Sequence, residues 1–162
     1  MLAWNHSKKE FMQIIKDRQL VENTWTFVAD DNPLPENGDI TVTLERWLTD
    51  KEQLLKRSSQ TGVRLIPSDQ IEPLTNDLSK IGVIELNFPI FGDGRLFSQA
   101  RLLRSRDGYQ GEIRAVGDYL PDQVFYLARV GVNAFEFSDP NHIQEALAAM
   151  NNFSVRYQAS TN

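Results

Sequence analysis

Gly92-Asp93-Gly94 lies between an apolar run ending at Phe88 and a stretch with helical spacing, the context in which a turn cradles phosphate with backbone amides. With Phe97 in place of a third glycine, the turn reads G-x-G-x-x-F, one residue short of the dinucleotide fingerprint. Asp118 follows 21 residues beyond Phe97, where a ribose-binding acid is expected. Two features pull the other way. The missing glycine normally lets helix and strand approach closely, and Asp93 brings negative charge toward any phosphate. The same residues also read as a tight turn with a carboxylate complementing a helix dipole. Arg95 is the best anion candidate because it stands at the turn itself, where a guanidinium fork suits phosphate, sulfate or carboxylate. Ser98, Gln99, Gln123 and Tyr126 add polar groups near the same place, although Ser98 has no base and His142 completes no triad with it.

Asp93, Asp118 and Asp122 offer an alternative, an oxygen cluster for a hard cation such as Mg²⁺. Asp122 follows Pro121, so it serves equally well as a first-turn helix charge. Arg114 sits inside an apolar run, and strands of a parallel sheet are usually apolar on both faces. It needs a partner such as Asp118 or Glu85, or it marks a pocket. Glu85 and Glu136 interrupt their runs in the same way.

These residues must be positioned by strands alternating with helices. The expected strands are 39–44, 63–66, 82–88, 112–116 and 133–137. Between them fall helical spacings with Trp47 and Leu54, with Leu74 and Leu78, with Leu96, Ala100 and Leu103, and with Val124 and Leu127. About five βα units imply a mostly parallel sheet with right-handed crossovers, either an open three-layer sheet or an incomplete βα barrel. Segments 12–20 and 24–28 read as an N-terminal β-hairpin, residues 1–11 as an extension, and 12–162 as one α/β domain. A helix is expected from Asp139-Pro140 to Met150, followed by an extended tail at 153–157. If the strands are parallel, the polar loops after Phe88, Val116 and Phe137 emerge together at the C-terminal edge, where such sheets bind ligands.

Composition narrows the chemistry. A net charge of −5 argues against wrapping nucleic acid. The absence of cysteine excludes disulfides, thiol nucleophiles and Cys-ligated iron–sulfur clusters, and two histidines leave no basis for zinc. Redox chemistry would need a non-covalent cofactor, for which a nucleotide is the natural class. No apolar run is long enough to span a bilayer and no secretory pattern opens the chain, so a cytoplasmic protein without membrane contact is expected.

Several blocks carry a resemblance: Asn87 to Arg104 around Phe-Gly-Asp-Gly-Arg-Leu-Phe-Ser-Gln, Gly108 to Asp118, Asp122 to Tyr126, and Gly131 to Glu136. Together they are similar to the bacterial domain of unknown function 934 family, over a span from about Met12 to Ser160. Two positions depart from its pattern: Leu96 stands where a glycine is frequent, and Val132-Asn133 replaces Phe-Asp. The resemblance implies an oxidoreductase label in sulfite reduction, and with it a cytoplasmic accessory of assimilatory sulfite reduction. A Cys-free chain cannot be the catalytic subunit that couples a Cys-ligated cluster to siroheme.

Three readings follow. In the first, an anionic small molecule or nucleotide binds at the sheet edge, with Gly92, Gly94 and Arg95 holding the anion. Asp118 accepts a ribose hydroxyl or cation, Ser98 and Gln123 orient the ligand, and Asp93, Gln99, Arg114 and Asp122 complete the site. In the second, the chain is a non-catalytic partner of the sulfite reductase hemoprotein. In the third, it is a metal-assisted enzyme acting on a phosphorylated substrate.

Overall fold

The structure, a computed structural model, describes residues 12–89 and 94–161, with side chains described as far as residue 152. The expected extension at 1–11, and Gly92 and Asp93 of the turn, lie outside the described residues. Eight strands form one sheet among the described residues: β1 (Gln13–Lys16), β2 (Gln19–Glu22), β3 (Trp25–Phe27), β4 (Asp39–Thr43), β5 (Thr61–Leu65), β6 (Val83–Phe88), β7 (Glu112–Gly117) and β8 (Ala134–Phe135). Their spatial order is β2-β1-β8-β7-β6-β5-β4-β3. From β3 to β8 all neighbours are parallel and consecutive, whereas β1 joins β8 and β2 antiparallel.

Strands added one after another in the same direction place every crossover on the same side, because βα crossovers share one hand. Helices α1 (Leu44–Thr49) and α2 (Lys51–Leu55) follow β4. A 3₁₀ helix (Glu72–Lys80) follows β5 and α3 (Arg95–Ser105) follows β6. After β7 come a 3₁₀ turn (Pro121–Gln123) and α4 (Val124–Arg129), and after β8 comes α5 (Asn141–Thr161). Of the two expected architectures, this order matches the curled one, a half-barrel. The edge strands β2 and β3 are separated only by Asn23 and Thr24. Three residue steps span at most about 11 Å, so the sheet curls until its edges approach at that corner.

The two faces of the sheet differ. Ile15, Val42, Val63, Leu65, Ile84, Leu86, Ile113, Ala115 and Phe135 join helix residues Leu74, Leu96, Ala100, Leu103 and Leu127 in one core. Residues of opposite parity, Thr41, Arg64, Glu85, Glu112 and Arg114, point to the other face. A sheet covered by helices on one side only needs no second apolar face, so the strands alternate despite being parallel.

Three expectations are corrected. The hairpin forms entirely within 13–22, through a two-residue turn in which Asp17 and Arg18 both have positive φ (51° and 69°). Segment 24–28 instead supplies β3, parallel to β4 at the opposite edge. The stretch carrying Leu74 and Leu78 winds as a 3₁₀ helix, and the backbone at 153–157 continues α5 rather than extending.

Candidate functional site at the C-terminal sheet edge

The ends of β6, β7 and β8 converge on a hollow of about 520 Å³. Its lining comprises Asn87, Phe88, Pro89, Gly117 to Leu120, Ser138, Asp139 and His142. Parallel pairing sets Gly117 beside Phe88, and the Asp118 amide donates to the Phe88 carbonyl at 2.7 Å. Gly117 has φ +91°, and a Cβ there would lie 2.5 Å from both Asn87 Oδ1 and the Phe88 carbonyl. Only glycine lets the loop turn this close to the neighbouring strand.

Aromatic rings form the floor. Tyr119 packs against Phe88 and Phe137, with centroids 5.7 and 4.7 Å away. Its hydroxyl donates to the Glu136 carbonyl at 2.8 Å. Burial, and then the Glu136 charge, push the phenol well above its ordinary pKa, so it remains a donor. Above the floor, Asp118, Ser138 and Asp139 are exposed. Asp139 Oδ1 accepts from the Asn141 amide at the start of α5, and His142 Nε2 lies 3.7 Å from Asp139 Oδ2. Two carboxylates, a hydroxyl, an amide side chain and an imidazole over aromatic rings suit a ligand with hydroxyl groups, whose hydrogens the carboxylates accept.

The residues singled out from sequence divide among several places. Asp118 lines the hollow. Gly94 and Arg95 are exposed at the start of α3, Ser98 is exposed one turn on, and none of the three lines the hollow. Gln99 is buried, and its Nε2 donates to the carbonyls of Pro67 and Asp69, tying α3 to the loop after β5. Asp122 is exposed in the 3₁₀ turn. Gln123 Oε1 accepts from the Leu120 amide, and the residue lines a separate groove of about 600 Å³ with Phe97, Arg101, Tyr126, Arg129 and Val130. Among the described residues no three acidic or histidine side chains are grouped to hold a metal ion. Nor is any helix there long and apolar enough to cross a membrane.

Arg114 belongs to the helix-free face. Its Nε donates to Glu112 Oε2 at 2.7 Å, its Nη2 lies 2.7 Å from the same oxygen, and Nη1 donates to Asn23 Oδ1 at 3.0 Å. Asn23 Nδ2 in turn donates to Glu136 Oε1 at 3.1 Å. Next in the row, Arg64 Nε donates to Glu85 Oε1 at 2.8 Å, and Lys16 reaches Glu112 from β1 at 3.2 Å. Glu85 and Glu136 stand out in the sequence as interruptions of apolar runs. Arg64 and Asn23 do not, because the run around Arg64 is short and Asn23 lies between runs. The available signal is period two: Arg64, Glu85 and Arg114 are direct neighbours in register, one per strand.

Residues 62–162 match the family described as bacterial protein of unknown function (DUF934), and the chain belongs to that family. No curated protein matches it. The matched span contains the whole lining of the edge hollow together with Arg64, Glu85, Glu112, Arg114 and Glu136. The hairpin, β3 and β4 precede it.

Proposed function

We propose that this family member is a ligand-binding accessory of assimilatory sulfite reduction. Its ligand is a nucleotide or similar hydroxyl-bearing anion held at the C-terminal sheet edge. The observation that carries the reading is the convergence of three successive strand ends on one hollow, with Asp118 on its rim over the Tyr119–Phe88–Phe137 floor. Asp118 accepts ribose hydroxyl hydrogens and the rings receive a planar base, while Arg95, outside the hollow at the start of α3, takes the anionic end of a ligand long enough to extend beyond it. Thermal-shift and calorimetric titration with NADPH, NADH, FMN and AMP test it. Saturable binding weakened at least about tenfold by Asp118→Asn is expected, given the loss of a charge-assisted hydrogen bond. Identical binding by wild type and variant, or none at all, overturns it.

A protein-partner reading rests on a different observation. Tyr126, 58% exposed, lines the α3–α4 groove together with Arg101 and Arg129. Exposed tyrosine flanked by arginines is typical of interface anchors. Titration against a sulfite reductase hemoprotein, with Tyr126→Ala and the charge reversal Arg129→Glu as variants, tests this; unaltered affinity in both rejects it.

A further inference from the structure

The helix-free face of the sheet carries a second hollow, of about 770 Å³, open to solvent beside the corner where β2 and β3 meet. Arg64, Glu85 and Glu136 reach into it from the sheet, and Asn23, Trp25 and Phe27 close it from the corner. The Arg64 guanidinium lies over the Phe27 ring, Cζ 4.0 Å from the centroid. Glu85 takes its Nε, so the two outer nitrogens, Nη1 and Nη2, have no hydrogen-bond partner among the described residues. A guanidinium fixed by a ring behind it and a carboxylate at its Nε presents its remaining edge as a two-pronged anion receptor.

We propose that this cavity binds a small monoanion, a carboxylate or comparable oxyanion on a flat apolar body, and takes up one proton with it at Glu136. The anion sits on the Nη edge of Arg64, and the apolar body lies against Trp25 and Phe27. Charge balance supplies the proton. Lys16, Arg64 and Arg114 face Glu85, Glu112 and Glu136 across this surface, so these six balance before the ligand arrives, while Glu22 and Asp39 in the cavity lining add further negative charge. An added anion deepens the negative imbalance in a partly desolvated hollow, where such charge is costly. Glu136 is the member of the set able to yield. Arg64 and Arg114 hold Glu85 and Glu112 within 2.8 Å, whereas Arg114 approaches Glu136 only to 3.8 Å. Burial and then the Glu85 charge already raise the Glu136 pKa. Protonated, Glu136 also becomes a hydrogen-bond donor to the bound anion.

The test uses benzoate as probe, with inorganic sulfate and phosphate as separate arms that distinguish a carboxylate site from a general oxyanion site. Calorimetry in two buffers of different ionisation enthalpy should show close to one proton taken up per benzoate. Affinity should rise about tenfold per pH unit toward acid while Glu136 is ionised in the free protein. Arg64→Gln should abolish saturable binding, with its circular dichroism spectrum and cooperative melt retained as proof of folding. Glu136→Gln should bind benzoate without proton uptake and without the pH dependence. Absence of benzoate binding, binding unchanged in Arg64→Gln, or proton uptake persisting in Glu136→Gln would each overturn the proposal. Tighter sulfate or phosphate than benzoate overturns the carboxylate assignment. Nucleotide binding at the edge hollow is read separately through Asp118→Asn.

Discussion

Replacing Arg114 with methionine removes a side chain only 1% exposed and strands the acid it serves. Glu112 is itself buried at 8%, and the loss of both 2.7 Å contacts leaves it Lys16 alone, at 3.2 Å on a half-exposed stem. Asn23 Oδ1 loses its guanidinium donor as well. At an effective dielectric near 20, a pair of charges about 4 Å apart is worth ~4 kcal/mol. Leaving one member of a buried pair uncompensated costs about 3–5 kcal/mol. Against a typical total of about 5–15 kcal/mol, that brings the variant close to unfolding at ambient temperature. The companion change Glu112→Leu on the Arg114→Met background removes the stranded charge too. The double variant should recover to within about 1–2 kcal/mol of wild type, because a hydrophobic replacement of both partners carries no desolvation penalty. Urea unfolding followed by the fluorescence of Trp25 and Trp47 measures all three proteins. If Arg114→Met alone costs less than about 1 kcal/mol, or the double variant is less stable than the single, the ion pair is not what organises this face.

Three further outcomes are expected. Because burial and Glu85 raise the Glu136 pKa, the folded state tolerates its ionisation less well than the unfolded chain does; stability is then full below the ordinary carboxylate pKa and lost as pH rises through the raised value. Glu136→Gln should accordingly match wild type in acid and melt at a higher temperature than wild type near neutrality, and a constant difference across pH contradicts this. Gly117→Ala should lower stability by about 2–3 kcal/mol through its left-handed backbone and its clash with the Phe88 carbonyl, so an unchanged melting temperature disproves the close approach. Gln99→Met should cost about 1–2 kcal/mol by leaving the Pro67 and Asp69 carbonyls unpaired, while nucleotide affinity stays unchanged; weakened binding would return Gln99 to the site.

The central parallel strands are readable because their runs end in residues that cannot continue them. Pro67 and Pro89 stop two strands, Gly117 turns a third, and Asp139-Pro140 starts the last helix. Strand order was not readable, since local signals say where a strand ends and nothing about which strand lies beside it. The hairpin was misplaced for a related reason. Asp17-Arg18 lacks the glycine that marks a two-residue turn with positive φ, so the sequence points to a turn further along. Asp118 lies in the lining of the edge hollow, a place its position after a strand makes legible in the sequence. The placement of Gln99 against the Pro67 and Asp69 carbonyls is not legible, because a polar side chain on a helix looks alike in sequence whether it meets a ligand or a backbone carbonyl. Arg114 is anomalous in the sequence, but its partners are not legible there. Its partners come from the strand's own Glu112 and from Asn23, 91 residues away, and only the curl of the sheet brings that corner over it.

That curl also fixes an order of events. β1 pairs with β8, the Asp17 amide donates to the Asn133 carbonyl, and Arg18 reaches the Met150 carbonyl from 132 residues earlier in the chain. A growing polypeptide emerges from its N-terminus, so the hairpin is made first yet has nothing to dock on until Ala134 and Phe135 have been synthesised. Until then it offers an unpaired strand edge, and Arg114 and Glu112 emerge before the hairpin that supplies Lys16 has docked beside them. Such long-range closure makes for slow folding. It also makes the last strand the clasp of the whole sheet. A chain cut short before Ala134 would leave its first-made segment without a seat, however complete the intervening βα units.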